Sequence, residues 1–451
     1  MSNRAKRFSL VVLTAAAVLA SPARADLNST AMMVFDTDST TPNYTLWNGS
    51  AWGTAQTMSS IGKAHQIILR NCPTRNETAC VIQIHDVGVH ALFFNGTTWT
   101  LPTQLTADNG VKKQRNCAVA YEQSSGDALI AYWTKPSNKI GYRTYDGSVL
   151  SAESVLTLPT ADKVHYLTLT PNPKSDEIIL VALNDQRQLY AVAWNGSAWG
   201  TVTTLETDAT QTADGDDDGD GDDDSGEHFS VAFESQSGQA LAVYGQRAQP
   251  QPRYRFWNGS GWSAESTLPS TGMEPSWSRL IPDPASNQLL FAALDSTNDI
   301  NVNVWNGSAW GANLEVEIDC QDFKTRHFDL AYENGGTKAL LAYAQLGQTP
   351  IRFRTWNGSA WSAEQIGPDL GQQARRIQLR TGATSGEIFI TASDKGKNLE
   401  FMRWDGSTLT GPQQMTPALH GGDEYEGFMV VAPTAPAKTV ILKWREVPTA
   451  P

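Results

Sequence analysis

The sequence predicts an all-β chain: an eight-bladed β-propeller of four-stranded antiparallel blades, closed by N- and C-terminal strands. Three observations lead there. The phrase Trp-Asn-Gly-Ser-Ala-Trp or a close variant recurs eight times in 451 residues, with its glycine at Gly49, Gly96, Gly147, Gly196, Gly259, Gly307, Gly358 and Gly406. Successive intervals are 47, 51, 49, 63, 48, 51 and 48 residues, a period that marks solenoids and propellers. Between these anchors, short segments alternate apolar and polar residues, and no helical periodicity of useful length appears.

In chain order, the first segment is a targeting signal. Basic Arg4, Lys6 and Arg7 precede an apolar run at 10–20 and the small-residue site Ala23-Arg-Ala25. A membrane anchor is the competing reading, but the run is short for a bilayer span and no other stretch reaches 18 apolar residues. Residues 1–25 are therefore expected to be a signal peptide cleaved near Ala25, leaving 26–451 as a single propeller domain in the periplasm or outside the cell. The chain carries 34 Lys and Arg against 47 Asp and Glu, a net charge of -13 that becomes -17 once Arg4, Lys6, Arg7 and Arg24 are removed. Such a balance argues against a nucleic-acid binder.

Next come Trp47 and Trp52, expected on the third and fourth strands of a blade. Cys72 and Cys80 then bracket a turn between two strand-like runs, a spacing that would let a disulfide staple one hairpin in an oxidising compartment. Cys117 and Cys320 lie in remote repeats and read as free or buried thiols, since no Cys/His cluster points to zinc. The seventh unit shows the blade most clearly: 327–333, 338–343, 351–356 and 360–364 read as four strands. Asn-Gly or Asp-Gly joins the third to the fourth, where both central turn residues are expected at positive φ. The sequons at Asn48, Asn95, Asn195, Asn258, Asn306 and Asn357 coincide with these turns, which accounts for them without glycosylation.

Two residues before each repeat glycine stands an aromatic, and three residues after it a Trp or Leu. Twelve of the 15 tryptophans occupy these two positions. Packing between blades, at about 25 cal/mol per Å² of apolar area, is the expected role, with sugar stacking as the alternative. At the C-terminal end, 426–432 reads as a first strand and 439–444 as a second. The N-terminal segment then supplies the third and fourth, although Ala31–Phe35 competes for the second place.

The glycine-to-tryptophan spacing after a third strand resembles the Asp-box turn of sialidase-like propellers, and the serial aromatic turns resemble those of sugar-binding propeller lectins. An aromatic replaces the Asp-box aspartate. The resemblance implies a propeller fold and a glycan ligand; the arginine cluster, tyrosine nucleophile and acid of sialidase catalysis are not carried over to particular residues.

Aligning the predicted first strands places His65, Asn116, His165, His228, Trp277, His327, Arg376 and Glu426 in one repeat position, on the face where the fourth strand of one blade leads to the first of the next. Ligand-binding residues are expected there: His65, Arg115, His165, His228, Trp277, His327 and Arg376. Strand capping and packing is the plainer role for the histidines. Lys112, Lys113, Lys324, Arg326 and Arg375 crowd the same loops, fit to receive an acidic saccharide or to remain solvated charge.

The one long interval holds an acidic insertion at 208–227. Asp216, Asp218, Asp220, Asp222, Asp224 and Glu227, with Gly221, match the spacing of an EF-hand-type calcium loop, so calcium is the expected cofactor. A flexible, self-repelling acidic tract is the alternative. Together these features predict an exported, non-enzymatic, lectin-like protein, taken as a monomer, with a glycan or surface protein ligand. The alternatives are a scaffold, or a glycoside hydrolase or polysaccharide lyase using Glu274, Asp322, Asp423 or Glu424 with His327 or His420.

Overall fold

A computed structural model describes residues 31–84, 87–107, 115–135, 138–210, 227–320, 325–421 and 426–432. They form eight four-stranded antiparallel sheets arranged in a ring, a β-propeller, with no helix among the described residues. Among these residues there is thus no helix long and apolar enough to cross a membrane. Blade 1 is built from both ends of the chain. Blades 2 to 8 start at inner strands Ala64–Asn71, Cys117–Tyr121, Val164–Pro171, Phe229–Phe233, Pro275–Pro282, Phe328–Tyr332 and Ala374–Thr381. Blade 7 has four strands, Phe328–Tyr332, Ala339–Tyr343, Pro350–Trp356 and Gln365–Asp369; the first three fall where they are expected, and the fourth begins just past the expected 360–364.

The closing blade decides between the two candidates for its second strand. Its inner strand is Phe428–Val431, and Ala31–Phe35 pairs antiparallel to it as the second strand, followed outward by Asn43–Trp47 and Gln56–Thr57. Three strands thus come from the N-terminal segment and one from the C-terminal. The run 439–444, expected as second strand, lies outside the described residues, as do 1–25.

The Cys72–Cys80 disulfide is corrected, because all four cysteines are free thiols. In the hairpin register Leu69 faces Cys80 and Asn71 faces Thr78, so Cys72 falls opposite Glu77 instead. The three-residue offset between Cys80 and Glu77 is odd, which sends the two sulfurs to opposite faces of the sheet. Cys72 packs toward blade 3, where its thiol meets the Gly126 carbonyl at 3.3 Å, while Cys80 is buried toward blade 1 beside Met429.

The repeated turns differ from the expected pair of positive φ values. The glycine alone takes that conformation, with φ between 89° and 99° at all eight sites. The preceding Asn acts as an acceptor. Asn306 Oδ1 receives the Ser308 and Ala309 amides at 2.9 Å, which orders the four-residue loop between bridged Trp305 and Trp310.

The tryptophans pack, as expected. The two rings of each turn stand 5.2–5.5 Å apart wherever both are aromatic, tilted or edge to face. The apolar core is spread between blades: Val81 and Ala91 of blade 2, for example, pack with Val119 and Ile130 of blade 3. A polar clasp accompanies it. Indole Nε1 of Trp194, Trp257, Trp305 and Trp404 donates to Glu122, Glu177, Glu234 and Glu333 of the preceding blade at 2.6–2.8 Å, and Trp356 donates to Gln288 at 2.8 Å.

Adjacent blades are not equivalent. Inner strands of blades 2, 4, 6 and 8 have eight residues and a register shift after the first, whereas those of blades 1, 3, 5 and 7 have four or five. Each long strand also bonds backbone to backbone with the short strand before it. The Ile67, Leu167, Ser278 and Ile377 amides donate to the Glu426, Arg115, Glu227 and Arg326 carbonyls. The ring is therefore four two-blade units.

Candidate functional site

The register shift decides which residues meet on the central axis. In the long strands His65, His165, Ser276 and Arg375 occupy the bulge. Past it stand Gln66, Tyr166, Trp277 and Arg376, and around the ring these positions alternate with Glu426, Arg115, Glu227 and Arg326, two residues ahead of the short strands. The single repeat position expected from the sequence is thus a mixture of two registers. A pattern reading that assumes identical blades has no signal for the bulge.

Arg115, Trp277 and Arg376 of the expected binding set do come together. The four histidines belong to a different layer. His228 Nδ1 lies 2.8 Å from the Pro275 carbonyl, and burial holds its pKa down to about 4. His327 Nδ1 lies 3.0 Å from the Thr325 carbonyl, His165 meets the Asp185 carboxylate, and His65 stacks on His420 with centroids 6.2 Å apart. Among the described residues no group of three or more His, Cys, Asp or Glu is placed to hold a metal ion.

Arg115 of blade 3 closes the channel near this end. Its guanidinium bonds Glu227 of blade 5 at 2.9 Å, pairs with Glu426 of blade 1, and lies 4.9 Å over the Trp277 ring of blade 6. One side chain can reach such separated blades only from close to the axis. Arg326 and Arg376 approach Glu426 at 3.7 and 3.5 Å. Burial alone would raise the Glu426 pKa, but Arg115, Arg326 and Arg376 outweigh it and hold the carboxyl below its ordinary value.

Glu227 therefore stands in this plug, on Arg115. The other expected calcium ligands, Asp216, Asp218, Asp220, Asp222 and Asp224, lie outside the described residues, as do Lys112, Lys113, Lys324, Asp322, Asp423 and Glu424. Glu274 accepts the Ala248 amide at 2.8 Å, and His420 lies 3.2 Å from Asp38.

Deeper in the channel stands Asp329, which the sequence reading missed because it sits mid-strand in an apolar run. It is fully buried and accepts from Arg279 at 2.7 Å, from Arg380 at 3.2 Å and from the Leu330 and Leu379 amides at 2.9 Å. Burial opposes its ionisation, but Arg279, Arg326, Arg380 and the Leu379 amide prevail and hold its pKa down to about 2. Beyond it the channel widens into a cavity of about 450 Å³, within the range of small-ligand sites. Arg70, Arg279 and Arg380 line it, together with Asn71, Gln123 and Asn334 and an apolar wall that includes Leu69 and Ile281. Gln123 and Asn334 belong to turns between first and second strands, so this cavity opens on the face of the Asn-Gly turns, opposite the face the sequence reading favoured.

The channel thus collects Arg70, Arg115, Arg279, Arg326, Arg376 and Arg380 against Glu227, Asp329 and Glu426. Among the described residues these arginines outnumber the carboxylates, inside a chain whose net charge is -13.

No family model matches the chain, and no curated protein sequence matches it. Solved structures do. The dihydro-heme d1 dehydrogenase NirN, in complex with DHE, is similar with a TM-score of 0.58 and 11% identity, over 86% of this chain and 74% of that one. The BP39L lectin from Burkholderia pseudomallei is similar with a TM-score of 0.52 and 10% identity, over 78% of this chain and all of that one. At such identities the likeness is one of fold.

Proposed function

We propose that this is an exported, non-enzymatic binding protein of lectin-like kind, whose glycan or surface ligand enters the central channel from the face of the Asn-Gly turns. The observation that carries this reading is the cavity at Arg70, Arg279 and Arg380, concave, partly polar and partly apolar. The likeness of fold to a propeller lectin supports it. Binding is favoured over glycoside hydrolysis by the state of the acid that holds two of the cavity's arginines. Asp329 is saturated by arginine and amide donors and held ionised, so it lacks the proton a general acid must deliver and the raised pKa that would keep one there.

A glycan array probed with the chain lacking residues 1–25 tests this. Binding of a defined saccharide set without release of smaller sugars is the expected outcome. Product release from a polysaccharide panel would make it a hydrolase or lyase, and specific capture of a protein with neither result would make it a scaffold.

A further inference from the structure

The inference concerns what the cavity selects, and it rests on the lectin-like reading. Among the described residues Arg70 donates to the Leu69 carbonyl at 2.8 Å and approaches Met429 Sδ at 3.7 Å, and it pairs with no carboxylate. Arg279 and Arg380 share Asp329 with Arg326, so one carboxylate serves three guanidiniums. The side chains of Arg279 and Arg380 remain 22% and 21% exposed, a path by which solvent or a ligand reaches them. Burial, with Arg279 adding to it, lowers the Arg70 pKa to about 10, and burial lowers that of Arg380 to about 9. Both stay cationic at neutral pH, in a place that disfavours cations.

A buried charge without a counterion is costly, and a fold keeps such an imbalance where it serves recognition. The chain's own continuation is a poor counterion. Val431 and Ala432 line the cavity, and the 19 residues beyond them carry Lys438, Lys443 and Arg445 against Glu446.

We propose that the cavity seats the oxyanion of an acidic saccharide, a uronate carboxylate or a sulfate ester, on Arg70, with Arg279 and Arg380 beside it and Asp329 positioning those two. The guanidinium fork matches both anions, and the apolar wall leaves room for a sugar ring face. Among the described residues Arg70 lacks a carboxylate partner because the residue across from it on the neighbouring inner strand, Met429, offers only a thioether.

Titration calorimetry on the chain lacking residues 1–25 separates the alternatives. The probes are a galacturonate disaccharide and its methyl ester, and a sulfated disaccharide and its desulfated form. At least one anionic probe is expected to bind at least tenfold more tightly than its neutral counterpart, and whichever does so identifies the anion. Arg70→Gln is expected to bring the anionic probe's affinity down to that of its neutral counterpart without lowering the melting temperature. Arg70→Lys, which keeps the charge without the fork, is expected to retain part of it. Equal binding of charged and neutral forms overturns the inference but leaves a lectin. Loss of both affinities in Arg70→Gln with an unchanged melting temperature also overturns it, since the residue would then contact the sugar rather than its charge. Binding of none of the probes, together with a blank glycan array, overturns both readings.

Discussion

Asp36 lies at the seam where the two chain ends meet. Its Oδ2 accepts the Ala64 amide at 2.6 Å, its own amide donates to the Gly427 carbonyl at 2.7 Å, and its carbonyl accepts from His420. Burial raises its pKa from 3.8 to about 7, against the pull of the Ala64 and Thr37 amides and of Lys63. The sign follows from that direction. With the folded pKa above the unfolded one, the fold binds a proton the unfolded chain releases between those values. The stabilisation linked to this group is complete below about 3.8 and is lost as pH rises through about 7. Asp36→Asn is therefore expected to lessen the fall in stability between about pH 4 and 7, as read from urea midpoints of both proteins. An unchanged slope would place the titration elsewhere. No periodicity singles Asp36 out, because its burial depends on Gly427 and His420, nearly 400 residues away in the chain.

At the scale of the blade, the repeat accounts for itself. An Asn supplies the turn acceptor, a glycine takes φ near 90°, and the two flanking rings interlock, all within six residues. What joins one blade to the next is less visible, because the acceptors for the indoles lie about 70 residues earlier. The clasp at Trp305 tests it. Glu234 is 1% exposed and accepts Trp305 Nε1 at 2.6 Å. Trp305→Phe keeps a ring but removes the donor from a buried carboxylate, and should cost about 1–3 kcal/mol in chemical denaturation. The same change at Trp199, in the second ring position and outside the clasp, should cost less. Equal losses would mean that ring volume, rather than the hydrogen bond, holds the blades. The alternation of long and short inner strands was not legible in the repeat. It was obscured because the repeat phrase marks only the outer half of each blade, where all eight are alike.

For the whole molecule, closure depends on four residues. Phe428–Val431 supply the inner strand of blade 1, and without them Ala31–Phe35 becomes an unpaired, wholly apolar edge. A chain ending at Gly427 is expected to aggregate or to lose its single cooperative unfolding transition. A chain ending at Ala432 should keep it, as light scattering and calorimetry would show. Cooperative unfolding of the shorter chain would mean that the ring does not need its seam.

Local order in this protein came from neighbours in sequence: the eight turns, the four strands per unit, the tryptophan pairs and the all-β architecture follow from spacing and residue type. The centre did not. Which side chains reach the axis depends on a one-residue bulge in alternate blades, and a slip of one residue in a strand exchanges its two faces. Histidines expected on the channel therefore pack aside, while Glu227, Arg326 and Arg376 meet Arg115 there. Arginines dispersed from position 70 to 380 acquire a common cavity only when the ring closes. Charge balance at a point is a sum over residues brought near in space, so only the tertiary structure decided that an acidic chain would have a cationic core.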